Sequence, residues 1–348
     1  MTRTELTAED LAGILAPFDL RLRPRGFERL EKGTINSNWR VDTDGGRVFV
    51  RVNEGKRESD VRYEGELLWH LCARRFPTPP PLRTAAGEPF VRHRDRLVTV
   101  FPFWPGHELR PEDMNAERAG HVGEVLERLH RAAADFPHAR EGIYTFERIA
   151  ARVEGFRARA ADVPAIAEAL SILDDEIAWQ RNARPALAQL PSGTIHGDLF
   201  PDNLLWVEGA SRRGPGLKGP RISAVLDFEQ ASIGRFGYDL AVTLLAWCWA
   251  DDRLDEALAW AMVAGYQRAR RLAEEERDAL WIEARAAALR FTVTRITDVF
   301  LPSLPPASIE PRPGKDFRDY LARLRFLREQ GREALGLAVD DRPPLRAV

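Results

Sequence analysis

The chain has 348 residues, of which 44% are hydrophobic and 30% charged, with a formal net charge of −2 at pH 7. That length exceeds one small core and predicts two domains or lobes, and the composition excludes a largely disordered chain. The near-neutral charge excludes a general nucleic-acid binder, and two distant cysteines, Cys72 and Cys248, exclude a disulfide framework or a cysteine-built zinc site and fit a reducing, cytoplasmic setting.

The opening MTRTELTAEDLAG has acids early and no apolar stretch, so no secretory leader is expected. Residues 7–16 predict a short helix with Thr7 as N-cap. WRVDTD and RVFVRV, joined through Asp44-Gly45-Gly46, predict a β-hairpin. VRYEGELLWHLCARRF predicts a helix ended by PTPPP at 77–81, and PFVRH and RLVTVFPF a second strand pair. The expected order is strand, strand, helix, strand, strand, closing at a Pro/Gly-punctuated hinge over Pro102–Gly106.

Beyond the hinge the pattern turns helical. Val122, Val125, Leu126 and Leu129 recur at core spacing within residues 112–135, and more helix is expected over 146–189. His121 and His130 on the first of these read as structural. Two strands follow, around NLLWV and ISAVLDF, joined by EGASRRGPGLKGPR, a solvated loop with four glycines and two prolines. After residue 239 the chain reads as mainly helical, interrupted by a Pro-rich loop at 302–315. LAVTLLAWCWA, residues 240–250, is too short to span a membrane, which needs roughly 20 residues, and reads as a buried core helix. There is no internal repeat.

One stretch concentrates polar chemistry. TIHGDLFPDNLL, residues 194–205, holds His196, Asp198, Asp202 and Asn203 between apolar ends, although a turn alone favours Asp, Asn, Gly and Pro. A further acid, Asp227, ends the apolar strand VLDFE. Two carboxylates and an amide oxygen make a hard-oxygen set suited to magnesium, and one histidine is too few for an ordinary zinc site. Phosphoryl transfer asks for such a set, because its loose transition state needs positioning and charge neutralisation. In protein kinases the catalytic-loop Asp precedes the metal-binding Asn by the spacing found here from Asp198 to Asn203.

With IHGDLFPDN and VLDFEQASIGRFGYDLA the chain resembles the aminoglycoside phosphotransferase-like branch of the protein-kinase-like fold, from about residue 25 to 330. Within it the chain most resembles type II homoserine kinases, through KGTINSNWRVDTDGGR, HGDLFPDNLLW, the tryptophan-rich helix after DLA, and RAAALRFTVTRITDVFLP. The resemblance implies an α+β, bilobal fold. Residues 1–104 would be a β-rich, nucleotide-binding N-lobe with one main helix, and 105–348 a mostly helical C-lobe with catalytic loop and acceptor site.

It also implies ATP and Mg2+ as cofactors, Asp198 as catalytic base, and Asn203 and Asp227 as metal ligands. His196 and Asp239 would be structural supports of the catalytic loop, and Asp202 a turn or capping residue. Gly33, Thr34 and Asn36 fall in the loop expected over the phosphates, which lacks the fuller G-x-G-x-x-G pattern. Arg51 stands where kinases place the phosphate-binding lysine, with Glu64 as its helix partner; an outward-facing strand arginine is the alternative, and Arg and Lys are not interchangeable at a tight site. Val100, Phe101 and Phe103 are expected to flank the adenine.

The implied partner is a small-molecule hydroxyl substrate, foremost L-homoserine, with no nucleic acid or membrane partner and with a homodimer left open. Arg290 and Arg295 are candidate contacts for the substrate carboxylate; Arg295 and Asp298, spaced i,i+3, equally suit an internal ion pair. An aminoglycoside or other small-alcohol kinase and a Ser/Thr protein kinase of the same fold remain open. So do a silent nucleotide-binding module, which has no need for the full Asp198, Asn203 and Asp227 set, and a metal-dependent phosphohydrolase, which leaves the β-rich lobe unexplained.

Overall fold

The computed structural model describes residues 4–18, 22–30, 36–208, 220–303 and 315–335. Two compact units form, each from separated stretches: Met1–Arg110, Arg131–Arg140 and Asp202–Ala231 in the first, and Pro111–His130, Glu141–Pro201 and Ser232–Val348 in the second.

The first unit opens with α1 (Ala8–Leu15). The Thr7 side chain accepts the Asp10 N–H (3.1 Å) and the Asp10 carboxylate accepts the Thr7 N–H (2.9 Å), a reciprocal cap on two otherwise orphaned donors. Strands β1 (Pro24–Leu30), β2 (Ser37–Thr43) and β3 (Gly46–Asn53) follow, then α2 (Glu58–Ala73), β4 (Val91–His93) and β5 (Arg96–Pro102). The five strands form one antiparallel sheet in the order β1-β2-β3-β5-β4. Gly46, at φ +112°, closes the expected hairpin in a conformation that side-chain-bearing residues avoid.

Alternation along the strands sorts the side chains. Trp39, Val41, Val48, Val50 and Val52 are buried with Leu11, Ile14 and Leu15 of α1. Each full burial of such a side chain contributes about 1.5–3 kcal/mol. Arg51 points to the opposite face from Val50 and Val52, and that face meets α2.

In chain order the next strand, β6 (Ser192–Ile195), lies in the second unit. The first unit then takes back a hairpin, β7 (Leu204–Val207) and β8 (Arg221–Val225), whose connection at 209–219 lies outside the described residues. The segment after β5 docks on this hairpin: the His107 and Trp206 backbones exchange bonds of 3.0 and 2.8 Å.

The second unit is mostly helical, with α3 (Ala116–Ala132) entering it up to His130, then α4 (Phe146–Phe156) and α5 (Pro164–Ala183). Strand β9 (Ser232–Arg235) pairs antiparallel with β6. The helices α6 (Phe236–Trp247), α7 (Glu256–Gln267), α8 (Glu274–Arg295) and α9 (Phe317–Gln330) follow. The apolar run after Asp239 is buried around most of α6, as expected of a core helix, but the helix ends at Trp247 and Trp249–Ala250 instead pair as a short strand with Arg253–Leu254. Among the described residues no helix is long and apolar enough to cross a membrane.

β1 was not foreseen from the sequence. PRGFERL is an edge strand with only intermediate or exposed residues, so it lacks the clean alternation of a half-buried strand. A Cβ on Gly123 would stand 1.9 Å from the Met262 carbonyl oxygen, and one on Gly265 would stand 2.0 Å from that of Gly120. The backbones of α3 and α7 therefore touch. Gly123→Ala should lower stability by about 1–3 kcal/mol or more, since the obstructing atoms are backbone. Gly155→Ala, on α4 with nothing near its Cβ, should be neutral or stabilise by up to about 1 kcal/mol. Urea denaturation of both variants checks the contrast, and equal losses would contradict the close crossing.

Candidate active site

Within the first unit, alternation in β3 brings Arg51 beneath α2. Its Nη1 donates to Glu64 Oε1 (3.0 Å) and lies 3.6 Å from Glu229 Oε1. Its guanidinium stacks over Phe101 and Phe49, at 5.2 and 6.0 Å from the ring centroids. Burial alone would lower its proton affinity; Glu64, Glu229 and Asp227 outweigh that and raise it. Lys56, in the turn after β3, reaches the same carboxylates, at 2.6 Å from Glu229 Oε1 and 3.9 Å from Glu64 Oε2. Asn36 Nδ2 donates to Glu229 as well. Gly33 and Thr34 lie outside the described residues.

The hairpin β7–β8 sets the acids. The Leu226 N–H donates to Asn203 O (2.9 Å), so Asn203 and Asp227 flank the same end of the hairpin. The Pro-rich segment after α2 pairs with β8: Val225 N–H donates to Pro77 O (2.7 Å) and Thr78 Oγ1 to Val225 O (2.8 Å). Arg140 donates to Glu229 O (2.7 Å) and Ala231 O (2.9 Å), holding the backbone just past Asp227.

Asp227 itself sits at φ +60°, ψ +69°, a left-handed conformation that Asp tolerates better than most residues. Its Oδ1 is buried without a hydrogen-bond partner among the described residues. Burial first, then Glu229, raise its proton affinity beyond what Arg51 and Lys56 offset. Glu229 goes the other way, because Lys56 and Arg51 outweigh its burial. Glu64, Asp227 and Glu229 thus face Arg51 and Lys56, leaving negative charge beside an orphaned carboxylate oxygen. That donor set fits a divalent cation. Among the described residues no group of three or more His, Cys, Asp or Glu is arranged to hold a metal alone, so such a cation needs oxygens from a ligand and water, as magnesium commonly takes.

Val100 and Phe101 are buried in β5, and Phe103 is exposed. Val100 O accepts the Leu82 N–H (2.7 Å) and the Phe103 N–H donates to Arg47 O (3.1 Å), so these groups already serve the sheet.

In the second unit the loop after β6 is built around Asp239, at the start of α6. Its fully buried carboxylate accepts the N–H of His196 (2.8 Å) and of Gly197 (2.7 Å), and meets His130 Nε2 at 2.9 Å. His130 Nδ1 is 2.9 Å from the Tyr266 hydroxyl, and its ring stacks on Phe236. Gly197 takes φ +73°, the bend that lets two successive N–H groups converge on one carboxylate. His196 is fully buried, and its Nδ1 accepts the Asp198 N–H (3.3 Å). Trp247 Nε1 donates to Leu199 O (2.9 Å).

Arg290, buried on α8, donates to Gly197 O (2.6 Å), and its Nη2 stands 3.6 Å from Asp198 Oδ1. It therefore touches the loop that carries Asp198. Arg295 donates to Asp316 O (2.8 Å) and lies 3.3 Å from Asp319. The expected i,i+3 pair of Arg295 with Asp298 does not form: Asp298 pairs with Arg152 (2.7 Å). The reason is local. α8 ends at Arg295 and the backbone widens into a π-helical turn over Ile296–Phe300, so the α-helical phase that would align the two residues is lost.

Sequence reasoning missed Lys56, Glu229 and Arg140, and gave His130 no partner. Two of these had a signal. Glu229 follows Asp227 by two residues in VLDFE, and Lys56 is one of four lysines among 51 basic residues.

Burial of Asp239 raises its proton affinity, but the bonds from His130 and the loop backbone outweigh it and hold the carboxyl below the usual range. Its contribution to stability is therefore complete above the ordinary Asp value of about 4 and is lost as pH falls through the lower folded value. Asp239→Asn, which leaves one buried N–H facing an amide NH2, should cost about 3 kcal/mol at pH 7. The gap to the parent protein should narrow below about pH 4. Urea denaturation across that range is the measurement, and a pH-independent gap would show that charge plays no part.

Residues 26–272 match the model of the family described as "Phosphotransferase enzyme family". A homoserine kinase of Granulibacter bethesdensis is 33% identical over 93% of this chain and 95% of its own length. One of Parvibaculum lavamentivorans is likewise 33% identical over 93% and 95%. Among solved structures, amicoumacin kinase hAmiN, in complex with AMP-PNP and Ca2+, aligns with a TM-score of 0.66 at 16% identity over 91% of each chain. An aminoglycoside phosphotransferase from Alicyclobacillus acidocaldarius aligns at 0.62 and 17% identity over 96% and 95%. These structures carry the kinase-like α+β fold expected from the sequence, and the five-stranded antiparallel sheet with a mostly helical remainder agrees with it. The chain belongs to the phosphotransferase enzyme family, as a kinase-type enzyme related along nearly its whole length to homoserine kinases.

Proposed function

We propose that this cytoplasmic enzyme transfers the γ-phosphoryl group of ATP, bound with Mg2+, to the hydroxyl of L-homoserine. The observation that carries the reading is the Asp239-braced loop presenting Asp198 beside Arg290, in a chain alignable over 93% of its length with homoserine kinases. The names of those relatives support the acceptor, and the AMP-PNP and Ca2+ of a structural neighbour support nucleotide and metal.

Asp198 orients the acceptor hydroxyl and accepts its proton as the oxygen attacks phosphorus. Its carboxylate is in part exposed, at 27%, as a group that must meet substrate requires. Asn203 and Asp227 would hold the metal, which when bound would supply positive charge against the phosphates. Arg51, fixed by Glu64, and Lys56, fixed by Glu229, supply positive charge to the triphosphate, with Asn36, bonded to Glu229, beside them. The adenine would take its place along β5, near Val100, Phe101 and Phe103. Residues 1–104 act as the nucleotide lobe and 105–348 as the acceptor lobe. Arg290 or Arg295 meets the homoserine carboxylate.

Coupled ADP release with L-homoserine, amino alcohols, sugars, choline-like alcohols and aminoglycosides tests the acceptor. Homoserine should give the highest kcat/KM, and turnover of another alcohol alone would overturn the substrate but not the kinase activity. Asp198→Asn should cut turnover by about 10²–10⁴-fold while ATP binding stays within a few-fold; a loss under about tenfold would remove Asp198 from the role of base. Asp227→Ala should weaken Mg-ATP binding and raise the magnesium needed for half-maximal rate. A magnesium titration unchanged from the parent protein would leave Asp227 a structural acid.

A further inference from the structure

α9 brings a group to the acceptor side of Asp198 that the reaction as described does not use. Tyr320 is 1% exposed, and its ring lies between two guanidinium groups: Arg295 and Arg323 each stand 4.4 Å from its centroid. Phe291 packs on it at 4.8 Å and Phe200 at 6.2 Å, so the ring is held on all these sides. Its hydroxyl is nevertheless buried without a hydrogen-bond partner among the described residues. A buried tyrosine hydroxyl ordinarily finds one, because leaving it unpaired costs free energy.

Two more donors nearby share that state. Arg323 Nε and Arg290 Nε are buried and unpartnered as well. Arg290 stacks on Phe291 at 4.0 Å and Tyr144 at 4.4 Å, and its Nη2 faces Asp198 at 3.6 Å. Asp198, Arg290, Arg295 and Arg323 all act electrostatically on the Tyr320 hydroxyl. Burial pushes that hydroxyl up to about 12, so at neutral pH it keeps its proton and can donate. Arg295 also repels the charge on Arg323.

A packed aromatic core flanked by stacked arginines accounts for the rings. It does not account for three buried donor atoms, the Tyr320 hydroxyl, Arg323 Nε and Arg290 Nε, that have no acceptor among the described residues, while Arg290 Nη1 and Arg295 Nη1 are already bonded. An anion supplies the lone pairs that these three donors lack. A cationic acceptor would add to the repulsion.

We propose that Tyr320 and Arg323, with Arg290, receive the carboxylate of the acceptor and so select a hydroxy amino acid over an amino alcohol of the same length. This rests on the reading of the chain as a small-molecule kinase with Asp198 as base, and it assigns Tyr320 and Arg323 as specificity-determining residues. Discrimination comes from the unpaired state: an acceptor lacking the carboxylate leaves the buried donors unsatisfied.

The test compares kcat/KM for L-homoserine with that for 3-amino-1-propanol, its counterpart without the carboxylate, in parent protein and variants. Tyr320→Phe removes only the hydroxyl. It should lower the ratio by roughly ten- to hundredfold through KM for homoserine, the scale of a hydrogen bond to a charged group. Arg323→Gln, at a more exposed position, should lower it in the same direction and guards against misfolding of the first variant. Ratios within twofold of the parent value in both variants would overturn the assignment. So would a parent enzyme whose preferred acceptor in the panel carries no carboxylate. If homoserine is not turned over but another hydroxy acid is, the homoserine reading fails alone, and the ratio is measured with that acid and its decarboxylated counterpart.

Discussion

A single buried carboxylate organises the loop after β6. Asp239 has no exposure, and an ion in that position is costly unless its lone pairs are filled. Three groups fill them: two successive backbone N–H groups, of His196 and Gly197, and the imidazole of His130. The arrangement works in both directions. The carboxylate is tolerated because the loop satisfies it, and the loop keeps its bend because its donors have no better acceptor. Asp198 follows directly, with its own N–H bonded to His196 Nδ1, so the orientation of the proposed base is inherited from α6 rather than from local turn preference.

Charge compensation plays the same part in the first unit. Arg51 and Lys56 share Glu64 and Glu229 in different ways. The planar guanidinium lies over Phe101 while donating to Glu64, and the ammonium acts as a point charge against Glu229. The cluster therefore holds both a guanidinium and an ammonium. Asp227 stands beside them in a left-handed backbone conformation of the kind that functional sites retain when the surroundings enforce it. Here the surroundings are the Leu226–Asn203 bond, the pairing of β8 with Pro77, and the grip of Arg140 on the following residues.

α8 is buried over much of its length. Its C-terminal half supplies Arg290 to the loop and then gives way to a π-helical turn. That change of helical phase redirects Asp298 to Arg152 and leaves Arg295 to the start of α9. The side chains gathered on this side of Asp198 are therefore basic and aromatic.

The sequence alone determined a good deal. The helix after Thr7, the Asp-Gly-Gly hairpin, the helix ending at PTPPP and the buried helix after Asp239 were legible because each depends on short-range signals: a cap, a turn that needs glycine, a proline, an apolar run. Asp198 and Asn203 were singled out as candidates by their spacing and Asp227 by its place at the end of an apolar strand, and the roles given to them belong to the proposal. What only the tertiary structure decided was partnership. β1 earns no pattern as an exposed edge strand and exists because β2 pairs with it. Lys56 and Glu229 meet across 173 residues, and His130 and Asp239 across 109. No local periodicity records such pairs, since they arise when separate helices and strands are packed and every buried charge must find a counterpart.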